Sequence, residues 1–140
     1  MRKLMLRYFV AIAIIIFSFV SFSDLTSYLF KNETTEQNLS LYKDELNKSI
    51  QSSSLNGVIE KPVTLKGKTL SFNYQIPAIS IDKINDSGLA EFNQYIYQKN
   101  ISNICTLKNL LNGGASFDFV YFDVNNIEFS RVHIEKKDCE

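Results

Sequence analysis

A chain of 140 residues with 15 Lys or Arg, 15 Asp or Glu and one His has room for one ordinary domain and carries no overall charge excess. Three of the basic residues (Arg2, Lys3 and Arg7) precede every acidic one, so twelve basic residues face fifteen acidic ones in the remainder, a net charge of about three negative. A nucleic-acid partner calls for a basic patch, and this balance excludes that class.

The chain opens MRKLMLRYFVAIAIIIFSFVSFSD. The three cations form a positive n-region, and an uncharged apolar run follows from Tyr8 to Phe22. Its roughly 15 residues reach the upper end of a cleaved secretory signal and fall a little short of the roughly 17–25 that cross a bilayer as a helix. Ser21-Phe22-Ser23 offers small residues for cleavage near Ser23. A retained anchor is the other outcome, if Leu4, Met5 and Leu6 join the run and Arg7 snorkels toward the headgroups. Either way the positive end stays in the cytoplasm and the C-terminus lies outside it. No cysteine follows the run directly, which argues against a lipoprotein anchor. The expected organisation is a signal or anchor over residues 1–23, a helical segment and loop over 24–57, and an α+β domain over 58–140, with 24–140 forming one domain.

Thr34 and Gln37 fit a capping box. Leu39, Tyr42, Leu46 and Ile50 then follow at helical spacing, one apolar stripe with a polar back that packs on the domain or serves as a stalk. Residues 52–57, SSSLNG, read as loop. The next segment, to residue 81, reads as extended. Gly67 is the turn candidate, and Leu70, Phe72, Tyr74 and Ile76 alternate with polar residues up to Pro77. Helical spacing returns over 86–104, with Asp86 or Ser87 as the cap and Leu89, Phe92, Ile96 and Ile104 near one face. Thr106 opens a short turn that Gly113-Gly114 closes. Residues 115–135 read as a hairpin turning at Val124-Asn125-Asn126. Phe117, Phe119 and Tyr121 share a face of one arm, and Val132 and Ile134 share a face of the other. Helix, two strands, helix, two strands is the order of an α+β fold: an antiparallel sheet of about four strands in two hairpins, with two main helices on one face, preceded by the hydrophobic signal or anchor helix.

The two cysteines gain meaning from the export signal. In an oxidising compartment an even count reads as a disulfide, and Cys105–Cys139 is the one intramolecular pairing. It closes a loop of about 35 residues and contributes roughly 3–4 kcal/mol by chain entropy. It also ties the last strand to the end of the preceding helix. Metal binding by the pair would need further close ligands, and His133 is the only histidine.

No catalytic constellation stands out. His133 is a general-base candidate with Asp118 and Asp123 as distant carboxylates, yet alternation places it beside Arg131 on the solvated side of its strand. Asp123 suits a turn-bonding role. Asp82, Asp86 and Glu91 lack calcium-loop spacing. Asn112-Gly113-Gly114 lacks the Lys and hydroxyl of a phosphate loop. Tyr95, Tyr97 and Tyr121 cannot all face one interior, and any left exposed beside Phe122 or Phe129 marks a contact surface. The Asn47-Lys48-Ser49 and Asn32-Glu33-Thr34 triplets matter only where exported proteins are glycosylated. The sequence therefore points to a non-enzymatic, exported protein-binding module with no catalytic, cofactor or metal residues: an envelope assembly factor, pilot-like adaptor, inhibitor or immunity-type protein. Its partner is another envelope or exported protein, with the membrane added through residues 8–22 if that segment is kept. The alternatives are a small hydrolase or ligand-binding enzyme using His133 with a nearby carboxylate, and a structural membrane-anchored protein.

Overall fold

The computed structural model describes residues 34–50 and 57–140, so expectations for the leader, the cleavage position and residues 51–56 lie outside the described residues. Helix α1 (Thr35–Ser49) starts at the capping box. Thr34 Oγ1 accepts from the Gln37 amide, and Gln37 Oε1 accepts from the Thr34 amide at 2.9 Å. Its stripe turns inward, with Leu39, Tyr42 and Leu46 buried. Strands β1 (Ile59–Lys66) and β2 (Thr69–Gln75) form an antiparallel hairpin. Gly67, at φ 60°, takes the left-handed conformation that the first position of so tight a turn favours. Helix α2 (Asp86–Ile104) then runs to the short helix α3 (Lys108–Asn112). Strands β3 (Ser116–Phe122) and β4 (Glu128–Ile134) make the second antiparallel hairpin, and a 3-10 turn, Lys136–Cys139, ends the chain.

The sheet order is β1-β2-β3-β4. Both hairpins are antiparallel, and the central β2–β3 pair is parallel. The cause is the connection: a crossover through α2 brings the chain back to the end of the sheet where β2 began, and only such a long return permits parallel pairing. The parallel register sets like against like. Phe72 stacks on Phe119 at 5.1 Å between ring centroids, and Tyr74 on Tyr121 at 5.2 Å. Phe92 of α2 meets Tyr121 edge-on at 4.9 Å and leans on Phe129. Phe129 is the extra residue where the β3–β4 register slips between Tyr121 and Phe122, and that slip turns its ring into the core. Of the tyrosines open at the sequence level, Tyr121 is buried, while Tyr95 and Tyr97 are half-buried against the core.

Two local assignments differ from expectation. The α2 cap is Asn85, whose Oδ1 accepts from the Gly88 amide at 2.7 Å, one residue before Asp86. Thr106 does not cap α3; its hydroxyl instead donates back to the Asn103 carbonyl at 2.6 Å, the local bond that competes with capping. Gly113 is required by close approach. A Cβ there would lie 1.8 Å from Thr35 Oγ1, so the start of α1 rests directly on the end of α3.

The outer edge of β1 is closed by α1. The Asn47 amide donates to the Val63 carbonyl at 3.0 Å and accepts from the Val63 amide at 2.7 Å, as a neighbouring strand would. Val63 sits where β1 bulges next to exposed Pro62, so the edge is kinked and capped at one point. Asn47→Ala leaves both backbone groups unpaired in a half-buried place. It is expected to cost about 1–3 kcal/mol, read as a lower urea midpoint together with faster hydrogen exchange at the Val63 amide.

Candidate functional site

The two faces of the sheet differ in kind. The helix-covered face is aromatic and aliphatic. The opposite face of β3 and β4 carries a ladder of charges. Asp118, 6 % exposed, accepts from Arg131 Nη1 at 2.6 Å, and its Oδ1 lies 2.5 Å from His133 Nδ1. Arg131 also donates to Glu128 from Nε at 2.8 Å and from Nη2 at 3.0 Å. That bidentate hold by Arg131 keeps the Glu128 carboxyl below its ordinary range, and Glu128 in turn keeps the guanidinium charged. Further along, Glu135 pairs with Lys137. Lys61 reaches across from β1, hydrogen-bonds Asn126 and lies over the Phe122 ring at 4.4 Å.

The structure thus brings His133 and Asp118 together and leaves Asp123 elsewhere. Asp123 is fully buried and organises the turn. Its Oδ1 accepts from the amides of Asn125 at 2.8 Å and Ile127 at 2.9 Å, and its Oδ2 from the Ile81 amide at 3.0 Å. These backbone donors, Ile127 foremost and then Ile81, hold its carboxyl below the usual carboxylate range despite its burial. The Asp118–His133 contact was not legible in the turn: a hairpin centred on Asn125 sets residue 118 opposite residue 132, and the extra residue Phe129 shifts the register to place His133 there. The dyad orients the imidazole, yet the side chain is 47 % exposed and its Nε2 looks toward Glu135 at 3.9 Å. Among the described residues no hydroxyl or thiol hydrogen-bonds to the ring, and no group of three metal-ligating side chains occurs. The hairpin turn gathers exposed apolar side chains, Val124 and Ile127, beside Ile81, which the Asp123 carboxylate tethers there.

A cleft opens on the other flank, between the last turn of α1 and the β1 bulge. Leu46, Ile50, Val63 and Phe72 line it with apolar surface, and Ser49, Glu60, Lys61, Asn73 and Tyr74 complete the lining with polar residues. Register explains the pairing: Glu60 stands directly opposite Tyr74, so both face the helices. Burial raises the Glu60 carboxyl above its ordinary value, and burial with the nearby Glu60 charge raises the Tyr74 hydroxyl. Sequence reading missed Glu60, because an acidic residue in a half-wet edge strand gives no sign of which way the bulge turns it.

Cys105 caps the end of α2, Cys139 ends the final 3-10 turn, and their Cα atoms lie 5.5 Å apart with the sulfurs bonded.

No family model matches the chain, and no curated protein matches it by sequence. Solved structures do match in fold. The type 2 secretion system pilotin EpsS of Vibrio vulnificus aligns with a TM-score of 0.55 at 10% identity, over 76% of this chain and 92% of that one. A candidate secreted protein of Pseudomonas aeruginosa aligns at 0.50 and 14% identity, over 79% of this chain and 100% of that one. A further type II pilotin, AspS of Vibrio cholerae, gives 0.44 at 14% identity over 75% and 95%. At such identities the first two likenesses establish a shared α+β fold.

Proposed function

We propose that this chain is an exported, non-enzymatic protein-binding module of the cell envelope that acts as an assembly adaptor for secretion machinery. The observation that carries the reading is the fold it shares, over most of both chains, with a type 2 secretion pilotin. The leader supports it by sending the chain out of the cytoplasm, where a cysteine pair at disulfide distance oxidises. Release after cleavage near Ser23 and retention through residues 8–22 are both compatible with the reading, and the mass of the exported protein tells them apart. Crosslinking of the tagged full chain in intact cells tests the function. The expected result is a defined complex with a component of an envelope assembly, and a loss of that component's assembly when the chain is deleted. A chain that stays uncomplexed, with unaltered envelope assembly on deletion, overturns the proposal.

A second reading, a small hydrolase, has one observation in its favour, the Asp118–His133 contact. It lacks a nucleophile beside His133 among the described residues. A turnover activity that His133→Ala abolishes while the fold is retained would establish it.

A further inference from the structure

The cleft beside the β1 bulge holds the Glu60 carboxylate, which no cation among the described residues pairs. Among the described residues Glu60 makes no ion pair and no side-chain hydrogen bond. The lysines that are close in sequence are engaged elsewhere. Lys61 is part of the cleft lining, but its ammonium is held by Asn126 and over the Phe122 ring, and Lys48 pairs with Glu45 at 2.6 Å. The last turn of α1 lines the same cleft, and the carbonyl end of a helix adds partial negative charge. Around these negative groups Leu46, Ile50, Val63 and Phe72 supply apolar wall, beside the polar Ser49 and Asn73. A half-buried carboxylate on an apolar wall is costly to keep unless something arrives to pair it.

We propose that this cleft seats a basic side chain of a partner protein, its aliphatic stem on Leu46, Ile50, Val63 and Phe72 and its charge on the carboxylate of Glu60. The proposal rests on the protein-binding reading above and names the contact. A lysine or arginine matches both halves of the site, a long apolar stem and a cationic tip. Anionic lipid headgroups are repelled by the same carboxylate and by the net negative charge of the exported region. The Tyr74 hydroxyl, neutral at physiological pH as any phenol is, adds a polar group without opposing charge.

The site predicts a trade between stability and binding. Desolvation raises the Glu60 carboxyl, so the ionised side chain strains the folded state, and solvent at the mouth screens that strain. Glu60→Gln is therefore expected to leave the fold intact and raise the melting midpoint slightly, by about 1–2 °C. The binding test uses n-butylammonium as a lysine-stem probe against n-butanol and butyrate, titrated into the full chain as the producing cell exports it. Methyl and ring resonances of Ile50, Val63 and Tyr74 provide the readout. The expected result is a saturable shift with n-butylammonium alone, weakened about tenfold in Glu60→Gln and unchanged in Glu91→Gln on the exposed side of α2. Equal shifts from butanol and butylammonium, or wild-type affinity in Glu60→Gln, overturn the proposal. If a crosslinked partner holds Glu60→Gln as tightly as wild type, the cleft is not its contact, while the adaptor reading stands. If no partner is found at all, the adaptor reading falls, and with it the protein occupant of the cleft.

Discussion

Replacing Cys105 and Cys139 together by serine lowers the free energy of unfolding by about 3–4 kcal/mol, the largest single loss expected from a change outside the core. The two residues are 34 apart in sequence, so the bond removes from the unfolded chain the freedom of a segment that includes α3, β3 and β4. For a domain of this length the loss corresponds to a melting midpoint lower by about 15 °C. The effect should be global, because the bond constrains the unfolded ensemble more than it holds a local contact. The terminal 3-10 turn has a hold of its own: the Glu135 amide donates to Asp138 Oδ2 at 2.8 Å. The serine variant is therefore expected to keep native-like dispersion at low temperature while its midpoint falls. Calorimetry of the oxidised protein, the reduced protein and the double variant gives the measurement. Reduced wild type and the variant should agree within error, since the chain has two cysteines and neither form then carries the link. A loss under about 1 kcal/mol would show that the unfolded chain is already compact enough for the bond to add no constraint.

How much of this was written in the sequence depends on how far apart the partners lie along the chain. The α1 capping box and the inward stripe of Leu39, Tyr42 and Leu46 are set by residues three or four apart, and the alternation of Leu70, Phe72 and Tyr74 is equally local. Each hairpin could be seen because its turn chemistry sits inside a few residues. The orientation of one hairpin against the other could not, since it depends on where a 19-residue helix delivers the chain. The sequence of β3 held a hint. Phe117 to Tyr121 are buried on both faces, the mark of a central strand, and Asp118 in that run reads as solvent-facing until Arg131 and His133 are seen to cover it. The candidate site was least legible. Glu60 faces the helices because β1 bulges at Pro62 and Val63, and what holds the bulge is an amide from Asn47 on another element. Nothing in the local spacing of either residue signals that contact.

Alkaline pH should destabilise the fold far more steeply than exposed tyrosines would allow. Tyr42, Tyr74 and Tyr121 meet between the helices and the sheet. Burial raises all three hydroxyls well above their ordinary value; nearby Tyr74 raises those of Tyr42 and Tyr121 further, and the Glu60 charge does so for Tyr74. The sign follows from the protons. Below about pH 10 both folded and unfolded chains hold them, and their contribution is fully present. Above it the unfolded chain releases three protons that the folded chain keeps, so stability falls as pH rises. Each group contributes about 1.4 kcal/mol per pH unit, about 4 kcal/mol per unit for the three together. Urea midpoints between pH 9 and 12 measure the slope, and tyrosinate absorbance should show three hydroxyls ionising only on unfolding. Tyr121→Phe supplies the control. It keeps the ring that stacks on Tyr74 and meets Phe92, so stability at pH 8 should change little, while the alkaline slope drops by about one third. A slope unaffected by Tyr121→Phe, or three hydroxyls titrating normally in the folded protein, would mean that water reaches the layer between the helices and the sheet, and the packing assigned to that layer would be wrong.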